Sequence, residues 1–143
     1  MAIAARTFEM VGGQEVIGCA PTRPLDLARL VRRGLPVAAL QHMLSSGRLT
    51  LAEVDRVVLP RRTLANRRKV GRLTAEQSDR LLRVARAVAT AEETFGSQEK
   101  AAAWLRRPTR ALAGERPLDL LDTDEGTRAV ETLLGRIGHG IAA

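Results

Sequence analysis

A short arginine-rich segment, residues 61–72, carries the side chains best suited to chemistry with another molecule. Its candidate DNA-contacting residues are Arg61, Arg62, Thr63, Asn66, Arg67, Arg68, Lys69 and Arg72. Arginine can pair bidentately with O6 and N7 of guanine, and asparagine can pair in the same way with N6 and N7 of adenine. The other positive groups can neutralise phosphates, a contribution that is independent of base sequence and weakens with salt. This segment therefore has the chemistry of a reader of duplex DNA.

The positive charge of the chain is concentrated around this segment. The net charge is +7, but residues 23–90 contain 15 Lys/Arg and five Asp/Glu, a balance of +10, whereas residues 91–143 contain seven and nine, a balance of −2. No acidic residue lies between Arg56 and Glu76. Segregated positive charge is typical of nucleic-acid-binding proteins. The alternative is an ordinary solvated helix face, because arginine and lysine are good helix formers.

Two short helices are predicted to position these residues. Residues 50–58 and 60–70 have the lengths of a helix-turn-helix. On the second helix, residues 62, 66 and 69 fall on one side, while Leu64 points towards the first helix. The turn at residues 57–60 lacks the glycine that is common in such units. The unit is therefore either a sequence-specific reader or a degenerate one that holds DNA mainly through phosphates.

Helical periodicity and helix-boundary signals extend along most of the chain. Thr50 with Glu53, and Thr74 with Gln77, fit capping boxes, and Ser97 fits an N-cap. Glycines such as Gly71 and Gly96 are expected helix ends. We therefore predict an all-α fold in three parts: a loose N-terminal arm at 1–24 with a short extended piece near Val16, a helix-turn-helix bundle at 25–96, and a small helical domain at 97–143.

The composition excludes several classes of protein. Aromatic residues make up 2% of the chain, which argues against a platform that stacks single-stranded bases. Cys19 is the only cysteine, so no intramolecular disulfide is possible and we expect a reducing compartment. No apolar run approaches the ~18 residues that span a bilayer, and Arg6 interrupts the apolar start, unlike a signal peptide. We expect a cytoplasmic protein with no membrane partner.

Catalysis is poorly supported by the sequence. The two histidines, His42 and His139, lie in different predicted domains, and no Cys/His cluster has metal-ligand spacing. Asp122, Asp124 and Gly126 resemble the start of a calcium loop, but its twelfth position is Leu133, which cannot coordinate a cation. No phosphate-cradling glycine motif is present. We expect a protein that is not an enzyme, with no metal, no cofactor and no small-molecule substrate.

Both halves of the chain contain segments that resemble one protein family. In the first half these are Arg61-Arg62-Thr63-Leu64, Gly71-Arg72-Leu73-Thr74 and Ser78-Asp79-Arg80-Leu81. In the second half they are Trp104-Leu105, Ala111–Gly114, Pro117–Leu121 and the spaced residues Gly126, Val130, Leu134, Ile137, Gly138, His139 and Gly140. Over about residues 25–143 the chain resembles the MbcA/ParS/Xre antitoxins, partners of RES-domain toxins. The resemblance implies an Xre-like helix-turn-helix domain followed by a C-terminal toxin-binding domain.

The same resemblance implies a function. It implies a type II antitoxin that silences a RES toxin, an NAD-depleting enzyme similar to ADP-ribosyl-transfer enzymes, and that forms a homodimer and represses its own operon. The candidate toxin-binding residues are Trp104, Leu121, Gly126, Val130, Leu133, Leu134, Ile137, His139, Gly140 and Ile141. Glycines near the end of an amphipathic helix permit close backbone approach. The hypothesis is that residues 126–143 cover or enter the toxin's NAD cleft.

Two alternatives stay open at the level of sequence. The apolar residues of the C-terminal part can equally form the chain's own core, because an amphipathic stripe shows only that something is buried there. A stand-alone helix-turn-helix transcription regulator, with no toxin partner, would need only the basic segment. Homodimerisation agrees with the paired half-sites of helix-turn-helix binding, and the predicted dimer face is the long helix at residues 75–93.

Overall fold

The computed structural model describes residues 2–140, and the regular secondary structure of this part of the chain is helical. Its α-helices are α1 (Ile3–Met10), α2 (Gly13–Ile17), α3 (Pro24–Arg33), α4 (Val37–Ser45), α5 (Leu51–Val57), α6 (Arg61–Val70), α7 (Ala75–Phe95), α8 (Gln98–Leu105) and α9 (Asp124–Gly138). Two 3₁₀-helices, η1 (Arg110–Leu112) and η2 (Pro117–Asp122), lie between α8 and α9. Residues 2–140 contain no β-strand, only two isolated bridges. The predicted all-α fold is confirmed.

Most predicted helix boundaries are formed by the expected caps. The Thr50 hydroxyl accepts from the Glu53 amide (3.2 Å), and the Glu53 carboxylate accepts from the Thr50 amide (2.9 Å). Thr74 and Gln77 make the equivalent pair of hydrogen bonds at the start of α7. Gly71 ends α6 with a φ of 86°, a backbone conformation that glycine adopts without strain. The local sequence therefore determines where these helices begin and end.

The N-terminal segment differs from the prediction. Residues 1–24 were expected to form a loose arm with an extended piece near Val16, but the structure places α1 and α2 there, so that prediction is wrong. Met10 and Val11 are 6% and 1% exposed in the core. Gly12, at a φ of 106°, makes the tight link between the two helices, and a Cβ at this position would lie 2.3 Å from the Val16 side chain. Tertiary packing thus explains helices that the glycine-rich sequence does not predict.

The long helix α7 lies at the centre of the molecule. It packs against α1, α3, α8 and α9, and buried residues occur on several of its sides, including Leu81, Val84, Val88 and Ala91. A helix that is apolar on several sides is an interior helix. The predicted dimer face at 75–93 is therefore largely covered within a single chain, which leaves it unsuited to that role.

The two predicted halves share one core, which runs from Met10 to Leu134. Ion pairs also join them. Arg106, at the end of α8, donates to both carboxylate oxygens of Glu53 on α5 (2.7 and 2.8 Å), and Arg56 of α5 lies 3.4 Å from Asp119 of η2. The C-terminal part is consequently anchored on the first helix of the helix-turn-helix. None of the helices in residues 2–140 is long and apolar enough to cross a bilayer.

Candidate DNA-binding and toxin-binding surfaces

The turn between α5 and α6 is built from apolar side chains instead of glycine. Val58 and Leu59 are each 2% exposed, and their amides both donate to the Val54 carbonyl oxygen (2.9 and 3.0 Å). No residue of the turn has a positive φ, so no position in it requires glycine. The missing glycine is thus compatible with a helix-turn-helix, because this turn is stabilised by burial.

A carboxylate from α5 caps the start of α6. Pro60 occupies the N-cap and offers no side-chain cap, but Asp55 accepts a hydrogen bond from the Arg61 amide (2.8 Å). A carboxylate at this position also interacts favourably with the helix dipole. Asp55 was not predicted as a cap from the sequence, where the only signal is an acidic residue shortly before a helix whose N-cap is proline.

The outer side of α6 presents the residues expected to read bases. Arg61, Arg62, Asn66 and Lys69 are exposed, and Leu64 is 2% exposed in the core. The predicted orientation of the helix is therefore confirmed. Residues 62, 66 and 69 form one outward stripe with nothing from the rest of the described chain covering them.

Other predicted DNA contacts are partly engaged within the protein. Arg67 donates through Nε to the Arg72 carbonyl oxygen (2.8 Å), and the Arg72 guanidinium donates to the Gly34 carbonyl oxygen. Arg68 lies against Gln41, whose amide oxygen, when turned towards it, accepts from Nε and Nη2 (2.9 and 3.1 Å). Thr63 is half-buried. These side chains fix the end of α6, while the exposed stripe stays available to a ligand.

Within residues 2–140, none of the six cations of segment 61–72 forms an ion pair with a carboxylate. Three of them occupy the last turn of α6, where the helix dipole favours positive charge. The dipole does not account for Arg61 and Arg62, which lie in the first turn, where positive charge is unfavourable. The fold itself therefore gives no reason for those two arginines.

Five predicted toxin contacts are core residues in this structure. Leu121 and Val130 are fully buried, Leu134 is 1% and Leu133 4% exposed. Trp104 is 6% exposed and packs against Phe95 with ring centroids 5.4 Å apart. These side chains hold the C-terminal part to α7, so they do not face a partner here. The amphipathic stripe correctly indicated burial, but the buried face belongs to the monomer.

Gly126 also has a structural role. A Cβ at this position would lie 2.0 Å from the Leu120 carbonyl oxygen, so only glycine allows η2 to pack closely against the first turn of α9. Thr123 caps the same turn by accepting from the Gly126 amide (3.0 Å). Gly126 is half-buried and therefore shapes the packing of the domain, while its predicted contact with a toxin stays a prediction.

The end of α9 is where predicted toxin contacts remain accessible. His139 and Gly140 are exposed, and Ile137 is half-buried against the core. The Nδ1–H of His139 donates to the Gly135 carbonyl oxygen (2.7 Å), since a carbonyl can only accept. Ile141 lies outside the described residues. Only part of the predicted toxin-binding set is thus brought together on a surface.

Two further glycines, Gly135 and Gly138, extend this surface. Both lie on α9 and are exposed, and no atom lies within 4 Å of the place where a Cβ would be. They line an open groove of about 440 Å³ between α7 and α9, together with His139. Glycine inside a helix costs stability, and here the fold does not require it. Gly138 belongs to the glycines that were expected from the sequence to permit close approach, whereas Gly135 was not among them.

Comparison with known proteins matches each half of the chain to a model of an antitoxin domain. Residues 26–86 match the model of the antitoxin Xre-like helix-turn-helix domain. Residues 90–140 match the model of the antitoxin Xre/MbcA/ParS C-terminal toxin-binding domain. The chain belongs to the Xre/MbcA/ParS antitoxin family. The predicted family is confirmed.

Relatives of this antitoxin-family chain match over a shorter stretch. The Antitoxin Xre of Photorhabdus laumondii is 46% identical over 48 residues, which cover 34% of this chain and 32% of the relative. The Antitoxin Xre of Pseudomonas putida is 40% identical over 52 residues, 36% and 33% of the two chains. The Prs ADP-ribosylating antitoxin of a Sphingobium strain is 45% identical over 49 residues, 34% and 31% of the two chains. The matched stretch thus spans about a third of each relative.

The two family models meet inside α7, between residues 86 and 90. The sequence analysis placed the boundary at Gly96, where α7 ends, and that boundary stays a prediction. Because α7 contributes core residues to both sides, a cut at Gly96 would separate the C-terminal part of this antitoxin-family chain from the helix against which α8 and α9 pack.

The charged link between the halves is strengthened by its surroundings. Burial alone would raise the pKa of the Glu53 carboxyl, but hydrogen bonds from Arg106 and the Thr50 amide outweigh it, and the pKa lies below its ordinary value. The hydrogen bond from Arg116 lowers the pKa of Asp119. Both carboxylates are therefore held in the charged form that their arginine partners require.

Proposed function

We propose that this chain is the antitoxin of a type II toxin-antitoxin system. It binds a RES-domain toxin that depletes NAD, neutralises it by covering its active-site cleft, and represses its own operon by binding DNA as a dimer. The family membership of both halves supports the two activities. The observation that carries the DNA half is the exposed stripe of α6, with Arg62 and Asn66 beside cations that the fold leaves without carboxylate partners.

In this proposal α6 enters the major groove. Arg62 and Asn66 lie on its outward side, where their side chains reach base edges, and Lys69 reaches a phosphate. Asp55 and the Arg67–Arg72 hydrogen bond fix the two ends of the helix. A helix held at both ends is already ordered, so it loses little conformational entropy when it enters the groove.

Replacement of the base-reading side chains tests the DNA half. R62Q and N66A should each weaken binding to the duplex upstream of the gene by roughly 1–3 kcal/mol and relax base preference at one position. The matched control is R110Q, because Arg110 is an exposed arginine on η1 that forms no ion pair in the described structure. If R62Q and N66A kept the same base preference as R110Q, the proposal that α6 reads the bases would be overturned.

The toxin half of the proposal depends on the exposed end of α9. His139, Gly140 and the open backbone at Gly135 and Gly138 form a surface that another chain can approach closely. The name of the Sphingobium relative refers to ADP-ribosylation, a reaction that consumes NAD. This chemistry agrees with a toxin that has an NAD cleft. We propose that the end of α9 and the residues after it exclude NAD by occupying that cleft.

Shortening the chain tests this mechanism. A chain that stops at Gly140 should fold like the full chain, because the described core ends before it, yet it should protect cells poorly against the toxin encoded beside it. R62Q should protect fully, since α6 is not part of the toxin surface. Full protection by the shortened chain would remove the last three residues from the mechanism.

A stand-alone transcription regulator is the second candidate. The burial of five predicted toxin contacts favours it, because the C-terminal stripe is then explained without a partner. Copurification of the chain with the product of the adjacent gene, followed by mass measurement, separates the two. A stable complex supports the antitoxin, and recovery of this chain alone supports the regulator.

A further inference from the structure

Positive charges without carboxylate partners are concentrated on two elements of the described structure. Within residues 2–140, ten of the 23 Lys/Arg side chains form ion pairs and thirteen form none. Nine of the thirteen lie on α3 and segment 61–72: Arg29, Arg32, Arg33, Arg61, Arg62, Arg67, Arg68, Lys69 and Arg72. The other four are spread over the C-terminal part. Most cations elsewhere in the described structure therefore form ion pairs with carboxylates, whereas those of α3, like those of α6, form none.

The ends of α3 and α6 are joined side by side. The Val37 amide donates to the Gly71 carbonyl oxygen (3.1 Å), the Leu73 amide donates to the Leu35 carbonyl oxygen (2.8 Å), and the Arg72 guanidinium donates to the Gly34 carbonyl oxygen. At Gly34 the two segments approach so closely that a Cβ would lie 2.2 Å from the Leu73 carbonyl oxygen. The positions of the two helix ends are therefore fixed relative to each other.

Arg29, Arg32 and Arg33 share the outer side of α3. All three are exposed, and their spacing of three and four residues places them on one helix face. The inward side of the helix contains Leu30, which is 6% exposed. The acidic residue of α3, Asp26, lies one turn before Arg29 on the same side of the helix, and it is paired with Arg23 (3.2 Å). A three-arginine face thus adjoins the basic end of α6.

A favourable interaction with the dipole of α3 accounts for only part of this pattern. Cations in the last turn of a helix interact favourably with the helix dipole, which applies to Arg32 and Arg33. Arg29 lies one turn earlier, and the end of α6 next to α3 is itself positive. Like charges placed side by side repel each other, so a joint polyanionic ligand is a better explanation than the dipole alone.

We infer that the arginine face of α3, formed by Arg29, Arg32 and Arg33, binds the phosphodiester backbone of the same DNA duplex whose bases α6 reads. This inference rests on the proposed DNA binding by α6. The α3 contacts are independent of sequence: guanidinium groups bind phosphate oxygens and displace condensed counterions. They hold the duplex in register while α6 supplies the base preference.

The salt dependence of DNA binding tests this inference. The probe is a random-sequence duplex of about 30 base pairs, enough for two half-sites one helical turn apart. Each lost phosphate contact reduces the slope of log K against log salt by about 0.9. R32Q/R33Q should therefore reduce the slope by about 1.8. The ratio of the binding constant of the unmodified protein to that of R32Q/R33Q should fall about 12-fold between ~50 and ~200 mM salt. R32K/R33K, which keeps both charges, should retain most of the slope.

The matched control is R107Q/R110Q, which removes two exposed arginines that lie in the C-terminal part and form no ion pair in the described structure. A slope for R32Q/R33Q equal to that of this control would overturn the inference. If the unmodified protein prefers the duplex upstream of the gene over the random-sequence duplex and R62Q/N66A has lost that preference, the proposed DNA binding by α6 stands and only the α3 contact fails. If the unmodified protein binds no duplex, both fail. Thermal unfolding of each variant shows that the comparison is between folded proteins.

Discussion

Alanine at two glycines of α9 should change stability in opposite directions. At Gly126 the new Cβ would meet the Leu120 carbonyl oxygen at 2.0 Å and the Leu120 carbonyl carbon at 2.9 Å. Both are backbone atoms, so relief requires η2 to move, and overpacking of this kind costs about 1–3 kcal/mol. At Gly135 no atom lies within 4 Å of the new Cβ. The exchange there should stabilise the helix by about 1 kcal/mol.

Thermal and urea unfolding measure this difference. With a shift of about 2–4 °C per kcal/mol for a chain of this size, the two variants should differ in Tm by roughly 10 °C. Toxin neutralisation adds a second readout: G126A should lose it in proportion to unfolding, whereas G135A stays folded and weakens it only if the partner contacts the glycine face. Equal stability of the two variants would refute the close packing of η2 on α9.

Three further outcomes are expected from the same structure. Ala113 is the only non-glycine residue with a positive φ (57°) in residues 2–140. Because the left-handed conformation costs about 1–2 kcal/mol for residues other than glycine, A113G should raise the free energy of unfolding by about 1 kcal/mol in a urea titration. The control is A111G, in η1, which should not stabilise the protein. Folding lowers the pKa of Glu53, and the hydrogen bond from Arg23 lowers the pKa of Asp26 to about 2. The stability that each carboxylate contributes is therefore present above its ordinary pKa and is lost as the pH falls through its lowered pKa. E53Q should show a smaller loss of urea stability between neutral and acidic pH, and an unchanged pH profile would show that the pair with Arg106 does not act in this way. A fragment of residues 97–143 should give the circular dichroism of an unfolded chain, because it lacks α7 and α5; a cooperative helical transition would contradict the shared core.

Local signals in the sequence predicted the helices well where caps determine them. The capping boxes at Thr50 and Thr74 predicted the starts of α5 and α7, since each requires only residues three positions apart. The N-terminal helices were missed because Gly12 and Gly13 indicate a turn, whereas burial of Met10 against the rest of the core stabilises α1. Such long-range packing has no local signature.

The two candidate surfaces were predictable to different degrees. The outward stripe of α6 follows from helical periodicity, because Leu64 alone determines which side faces inward. The hydrogen bonds of Arg67 and Arg72 to backbone oxygens depend on a neighbouring segment, so they could not be predicted. For α9, periodicity identified the buried face, but it could not show whether that face meets α7 or a toxin.

The most direct test of the proposed function measures whether the product of the adjacent gene consumes NAD and whether this chain stops that consumption. The chain in molar excess should stop NAD loss, and the folded R62Q/N66A variant, which we expect to have lost base preference, should stop it equally well. Continued NAD loss in the presence of excess folded chain would contradict the proposed antitoxin function.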